Sequence, residues 1–357
     1  MSCMKLNTNR LILVIDGFGH GGIQQVYKVL IREYSKVYDL VFLIIIDSNV
    51  SDLKIEKISN LKIIRLESKK LIDFNNFFEF KKIITSIGPS IIIASIYRSQ
   101  IWSAIAKPRK VKLIWVEQNT HIDRSKIHWQ LMRILVRRVD KLVGSSEDVR
   151  NLTEFKLNKK TMVIPNPLTG VARYNLSNKR QNDFVFIARM ISQKNPELML
   201  RSYSEYIKLY GTNSKLHMVG GGELLKSLEL LSKELNLGSS CIFHNFMSNE
   251  QIQELLSQSK TLVSTSIIEG MPLVRTEALA NGCCVVSTNT GGIHFFKHLE
   301  SAGVFVVDSD ISKIAQKMHE SIDSKYWTRK FISTRGSIVE DLNAKKISAE
   351  LIKFNLS

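Results

Sequence analysis

Short apolar runs alternate along this chain with stretches whose apolar residues recur every three or four positions. Residues 11–15 read as a buried strand, followed by a glycine loop and a helix over 22–34. Strands are predicted over 39–47 and 61–66, a helix over 77–87, and strands over 90–96 and 111–117. A basic helix over 125–142 and a strand over 141–145 follow. Strands this short and this apolar, separated by amphipathic helices, belong to a parallel, doubly wound sheet covered on both faces. Pro165-Asn166-Pro167 breaks the pattern, and the polar, aperiodic stretch 169–183 reads as a linker. Alternation then restarts. Strands are expected over 184–187, 215–219, 241–244, 261–264 and 304–307, with helices over 195–209, 223–235, 249–257 and 311–322. The last stretch, from 326 to the end, also reads as helical. The fold class is therefore α/β, with two Rossmann-like domains facing across a cleft. Residues 1–168 form the first domain and 169–335 the second, with a helical tail over 336–357 that packs back on the first. Sheets of this kind bind ligands outside the carboxyl ends of their strands.

Composition narrows the class. A chain of 357 residues has room for two cores, and 44% hydrophobic content is that of a folded protein. No apolar run approaches the roughly 18 residues of a membrane span. The first ten residues are polar and lead straight into a strand, unlike a signal peptide. A cytosolic protein is the expectation. Cys3, Cys241, Cys283 and Cys284 have neither disulfide nor metal-ligand spacing, and the adjacent pair reads as small buried hydrophobes.

The net charge of +17 points to acidic partners. Residues 101–141 hold ten lysines and arginines against three acids. On the expected helix Lys126, Arg133, Arg137 and Lys141 share one face, with Leu131, Met132, Leu135, Val136 and Val139 opposite. Such a face is either solvated over a core stripe or docked on the anionic inner face of the cell membrane. Zinc-finger spacing, an RNA-binding aromatic signature and a disordered basic tail are all lacking, which argues against nucleic acid.

Several loops carry candidate chemistry. Gly17, Gly19 and Gly22 fit G-x-G-x-x-G between strand and helix, and Asp47 ends the next strand. That is the fingerprint of a dinucleotide site, so an NAD(P)-dependent oxidoreductase is one reading. In the second half Arg189 and Lys194 follow a strand end, where two cations suit a diphosphate and its departure. Gly220-Gly221-Gly222 and Gly291-Gly292 mark two more tight turns. Glu269 and Glu277 stand eight positions apart around a helix that opens at Pro272 and stops before Gly282. The start of that helix aims free N–H groups at Glu269-Gly270-Met271, a place for anionic phosphate.

Taken together, FIARMISQKN, HMVGGGE, HNFMSNEQIQELL and the E-x7-E pair Glu269 and Glu277 resemble the retaining glycosyltransferases of family 4, glycosyl transferases group 1, of GT-B fold. GHGGIQQV and GSSEDVR with IPNP extend the resemblance, more loosely, into the first half. It implies transfer of a hexose or N-acetylhexosamine from a nucleotide sugar, UDP-sugar favoured, to a glycan or lipid-linked acceptor in surface-polysaccharide synthesis. Arg189 and Lys194 would hold the donor diphosphate and Glu277 the ribose hydroxyls. Glu269 would meet the donor sugar, with Gly270, Met271, Pro272 and Leu273 around it. Phe246 would mark the base, and Gly21 and Gly22 would approach the diphosphate from the first domain. His121 is the candidate for the histidine near the transferred sugar, with His20 and Glu117 as competitors. The same-face displacement usual in that family needs no cofactor and no metal. Asp308-Ser309-Asp310, a D-x-D, is explained by helix capping. Two departures stand out: cysteine at 283 and 284 where the family often has proline, and no glutamate shortly after Gly291-Gly292, where Ile293-His294-Phe295-Phe296 stands. The second leaves open a third reading, a non-catalytic sugar-nucleotide binder.

Overall fold

The computed structural model describes residues 9–18, 22–47, 55–68, 73–119, 124–170, 180–211, 213–293, 303–323, 336–337 and 339–353. The chain divides into two compact units, Met1–Pro167 with Asn343–Ser357, and Leu168–Leu342.

The first unit is built on seven parallel strands: β1 (Arg10–Ile15), β2 (Leu40–Asp47), β3 (Leu61–Ser68), β4 (Ile91–Ser95), β5 (Lys112–Glu117), β6 (Lys141–Gly144) and β7 (Met162–Val163). Their order is β3-β2-β1-β4-β5-β6-β7. β1, β2 and β4 are apolar nearly throughout because both their faces are covered. Helices α1 (Gly22–Tyr34), α2 (Phe74–Ile87), α3 (Tyr97–Ala106), α4 (Lys126–Leu135) and α5 (Glu147–Leu157) cross between the strands. Local chemistry sets several ends. Asp73 caps α2 at the amide of Asn76, and Gly88 ends it in the left-handed region. Ser146 caps α5 at the amide of Val149.

The second unit has six parallel strands: β8 (Gln181–Ile187), β9 (Leu216–Val219), β10 (Cys241–His244), β11 (Ser259–Ser264), β12 (Cys284–Thr288) and β13 (Val304–Val307). They are ordered β10-β9-β8-β11-β12-β13, the arrangement of the first six strands of the other sheet. Its helices are α6 (Pro196–Tyr210), α7 (Leu225–Glu234), α8 (Asn249–Gln258), α9 (Leu273–Ala280) and α10 (Ile311–Ser321). The last helix, α11 (Ala344–Ile352), packs on α1 and belongs to the first unit.

Two features depart from the sequence reading. The basic helix ends at Leu135, followed by a short 3-10 turn, Val136–Arg138. Lys141 is not on it. It lies on β6, buried, and its Nζ donates to the carbonyls of Glu350, Leu351 and Lys353 near the end of α11. The helical period had run on through a turn and into a strand. Leu131 is also partly exposed rather than in the core stripe, beside the exposed Ile127 and Ile134. The second departure is α3, whose buried face carries Arg98, Ser99, Gln100 and Ser103 and so shows no apolar period. Its N-terminal amides are satisfied from far away in sequence: Asp16 accepts from Arg98 N at 3.0 Å and Ser99 N at 2.6 Å.

Candidate functional site

In the second unit the strand order reverses between β8 and β11, and the loops leaving their carboxyl ends come together. β8 leads into Ala188 and Arg189, then a 3-10 turn, Ser192–Lys194, then α6, which Asn195 caps at the amide of Leu198. β11 leads into the loop Thr265–Pro272 and then α9. The two loops are knitted together. Ile267 N donates to Gln193 O at 2.9 Å, Gln193 Nε2 donates to Ile268 O at 2.9 Å, and Thr265 Oγ1 donates to Asn195 O at 2.8 Å.

This knitting places Lys194 on Glu269. The ammonium is hydrogen-bonded to Glu269 Oε1, which also accepts from Ser266 Oγ at 2.7 Å. Glu269 is 7% exposed, so its pairing is a near-buried one. Arg189 differs: it is exposed, and its side chain has no hydrogen bond or ion pair among the described residues. The turn after β9 presses on the same edge. Gly220 has φ 124, and a Cβ there would run into the carbonyl oxygen of Ala188. Gly291 is as confined, since a Cβ there would overlap the carbonyl oxygen of Glu269. Bare backbone is what lets the loop after β9 meet that after β8, and the loop after β12 meet that after β11.

Pro272 occupies the N-cap position, φ −64 and ψ 118, and the helix proper begins at Leu273, one residue later than the sequence predicts. Gly282 lies just past the C-cap, Asn281, with φ 98. Glu277 is 7% exposed on α9 and accepts from the Thr169 hydroxyl. Burial raises its pKa above the usual carboxylate value, and the Thr169 hydrogen bond opposes the rise. Thr169 comes from the stretch that reads as linker, and nothing in its sequence signals this contact. Met271 lies in the core with Leu279 and Ile293, so only its backbone is left for a ligand. Phe246 is 69% exposed, its ring beside Gly221.

The largest surprise is Arg275. Fully enclosed in α9, it donates to Ser264 Oγ, Thr290 Oγ1 and the carbonyls of Thr290 and Gly291. Burial pulls its pKa down to about 10, with Glu269 pulling the other way. Its one sequence signal is a lone basic residue in the short helix LVRTEALA.

Residues 172–336 match the family described as glycosyl transferases group 1. The second unit thus matches the group 1 glycosyltransferases, and the chain is a glycosyltransferase. Among its relatives, the GalNAc-alpha-(1->4)-GalNAc-alpha-(1->3)-diNAcBac-PP-undecaprenol alpha-1,4-N-acetyl-D-galactosaminyltransferase of Campylobacter jejuni is 23% identical over 357 residues, 96% of this chain and 97% of the relative. The O-antigen biosynthesis glycosyltransferase WbnH of Escherichia coli is 24% identical over 71% of this chain and 74% of its own. In three dimensions HepE of Anabaena, solved with UDP, superposes with a TM-score of 0.77 at 15% identity, covering 96% of this chain and 98% of HepE. The fold is GT-B.

The remaining predicted positions of this glycosyltransferase are less favourable. His121, His20, Gly19 and Gly21 lie outside the described residues, as do Cys3 and residues 294–296. Gly22 is the first residue of α1. Asp47, which the dinucleotide reading needs for a ribose, is instead ion-paired with Arg98 at 3.4 Å. With a glycosyltransferase supported, the oxidoreductase reading is set aside. Glu117 is locked in a buried pair with Arg124, 3.1 Å on each arm, and takes a third bond from Gln100. Asp310 caps α10 at the amide of Lys313, and Asp308 pairs with the Lys313 ammonium at 2.7 Å, so both carboxylates of the D-x-D are engaged. Among the described residues there is no cluster of three or more metal-ligating side chains. No described helix is long and apolar enough to cross a membrane.

Proposed function

We propose that this glycosyltransferase moves a hexose or N-acetylhexosamine from a nucleoside-diphosphate sugar, UDP-sugar favoured, to a lipid-linked or surface-polysaccharide acceptor, with retention at the anomeric carbon. The observation that carries the reading is the pairing of Lys194 with Glu269 at the strand switch point, beside an unpaired Arg189. A cation pair and a carboxylate at one loop edge match a diphosphate joined to a hydroxylated ring. HepE, solved with UDP and with UDP-glucose, supports the donor class. The undecaprenol-linked glycan in the name of the Campylobacter jejuni relative supports the acceptor class.

In the reaction the acceptor hydroxyl oxygen bonds to the sugar's anomeric carbon on the face from which the phosphate oxygen departs. The carbon–oxygen bond to the diphosphate breaks, and the acceptor proton passes to the leaving phosphate. Arg189 and Lys194 take up the charge that develops there, with the positive N-terminal end of α9. Glu269 holds a sugar hydroxyl, and Glu277, whose buried carboxylate already binds one hydroxyl, holds the ribose. No metal enters.

The acceptor's lipid accounts for the basic surface. Lys126 and Arg133 on α4 and Arg137 just after it, beside the exposed Ile127 and Ile134, form a face suited to the anionic inner surface of the cell membrane. Lys141 is not part of it. The enzyme is then cytoplasmic and peripheral.

The test is a transfer assay with UDP- and GDP-activated hexoses and N-acetylhexosamines on undecaprenyl-diphosphate glycans, in EDTA, with the product linkage read by NMR. An α-linked product from an α-linked donor is expected. A β-linked product, or turnover abolished by EDTA and restored by a divalent cation, would contradict the mechanism.

A further inference from the structure

Arg275 is a buried charge whose hydrogen-bond partners among the described residues are all neutral. It is fully enclosed, and among the described residues no carboxylate lies within ion-pair distance of it. Two bonds of 3.3 and 3.2 Å reach Ser264 Oγ, one of 2.5 Å reaches Thr290 Oγ1, and two of 3.4 and 3.2 Å reach the carbonyls of Thr290 and Gly291. A cation so enclosed is costly without a counter-charge. The Arg275 guanidinium donates to the Gly291 carbonyl at 3.2 Å, and the Gly291 backbone lies against the Glu269 carbonyl, so Glu269 belongs to the loop packed on it. Yet Glu269 is bonded directly to Lys194 and Ser266. Lys194 is also the cation that a donor diphosphate would draw away. Lys194 is the one cation bonded to Glu269 among the described residues, so a carboxylate that loses it needs another positive charge, and Arg275 stands behind the adjoining turn.

We propose that Arg275 is a positioning residue of the donor site: it is the standing counter-charge of Glu269 once Lys194 has turned to the donor diphosphate, and it ties the Thr290–Gly291 turn to the end of β11. The Gly291 backbone sits directly against the Glu269 carbonyl, so the turn and the carboxylate's loop move together. Lys194 then has two positions, on Glu269 without donor and on phosphate with it. Arg275 makes the exchange affordable. This rests on the donor-site reading above, and its test separates the two.

The test is a double-mutant cycle on the full chain, read by calorimetric titration of UDP and of GDP. Near-UV circular dichroism confirms that each variant is folded. For the nucleotide that binds wild type, Arg275→Met should weaken affinity about tenfold or more, because nucleotide binding strands the Glu269 charge. On a Glu269→Gln background the same change should cost less than about threefold, since no charge is left to counter. Arg275→Lys keeps the charge and should bind within about threefold of wild type; it also decides the matter if Arg275→Met does not fold. Equal losses from Arg275→Met in both backgrounds, or a tenfold loss in Arg275→Lys that Glu269→Gln does not relieve, would reduce Arg275 to scaffolding and overturn the proposal. Wild type that binds neither nucleotide would overturn the donor-site reading, and this proposal with it.

Discussion

The two sheets share one strand order over six strands, yet their carboxyl edges are chemically opposite. In the first unit the edge is closed on itself. Asp16 caps α3, Asp47 pairs with Arg98, and Glu117 pairs with Arg124, whose guanidinium lies between the rings of Tyr97 and Trp129 at 5.5 and 5.1 Å. In the second unit the edge is left open. Arg189 is exposed, Lys194 is paired with Glu269, and Arg275 has no bonded acid among the described residues. One topology thus supports two uses of charge. In the first unit each of these acids is bonded within the edge; in the second, Arg189 and Arg275 have no bonded acid among the described residues.

The largest test of that contrast is removal of a cation from the open edge. Lys194→Ala should cut kcat/KM for transfer by about a hundredfold or more, with the melting temperature nearly unchanged. Arg189→Ala should act in the same direction, and Glu277→Ala should also lose transfer. Wild-type turnover in these variants would show that the open edge is not where the chemistry happens.

On the closed edge the loss should appear in stability. Glu117→Ala strands the Arg124 charge in a buried site and should cost about 3–5 kcal/mol in chemical denaturation. If it removed transfer and left stability intact, Glu117 would be a site residue and the contrast would fail.

A third, smaller effect sharpens the role of Glu277. Burial raises its pKa, so between the unfolded and folded values the native state holds the proton more tightly than the unfolded chain. Its contribution to stability is complete below the unfolded value and is lost as pH rises through the raised one. Glu277→Gln cannot titrate. Its melting temperature should exceed that of wild type by a margin that widens as pH rises toward neutrality, while transfer is lost. A margin that narrows with rising pH would contradict the burial account.

The smallest effect is expected at Asp47, whose pair with Arg98 is 3.4 Å long and whose side chain is 32% exposed. Asp47→Asn should cost less than about 1 kcal/mol and leave transfer unchanged. A lost nucleotide response would revive the dinucleotide reading.

What was legible in the sequence follows from how local each cause is. Helix α1 and strand β13 have the bounds their patterns predict, because apolar period and flanking glycines act within a few residues. The position of Arg189, Lys194 and Glu269 in the loops after β8 and β11 was legible because short apolar runs mark the strand ends that precede them. Helix α3 could not, since its cap, Asp16, is 82 residues away. The basic helix was read too long because Val136–Arg138 prolongs its period before the strand, and Lys141 only shows its burial once α11 is folded over it. Arg275 and Thr169 escaped for the same reason. Their partners, at Thr290 and Glu277, are brought near only by the tertiary fold.

The central claim is that the second unit's open edge binds the nucleoside diphosphate of a sugar donor. Titrating UDP, GDP and NAD into wild type and Lys194→Ala by calorimetry tests it most directly. UDP or GDP should bind wild type and bind Lys194→Ala at least about tenfold more weakly, with no heat from NAD. Binding of NAD alone, or nucleoside-diphosphate binding that Lys194→Ala leaves unchanged, would contradict the account.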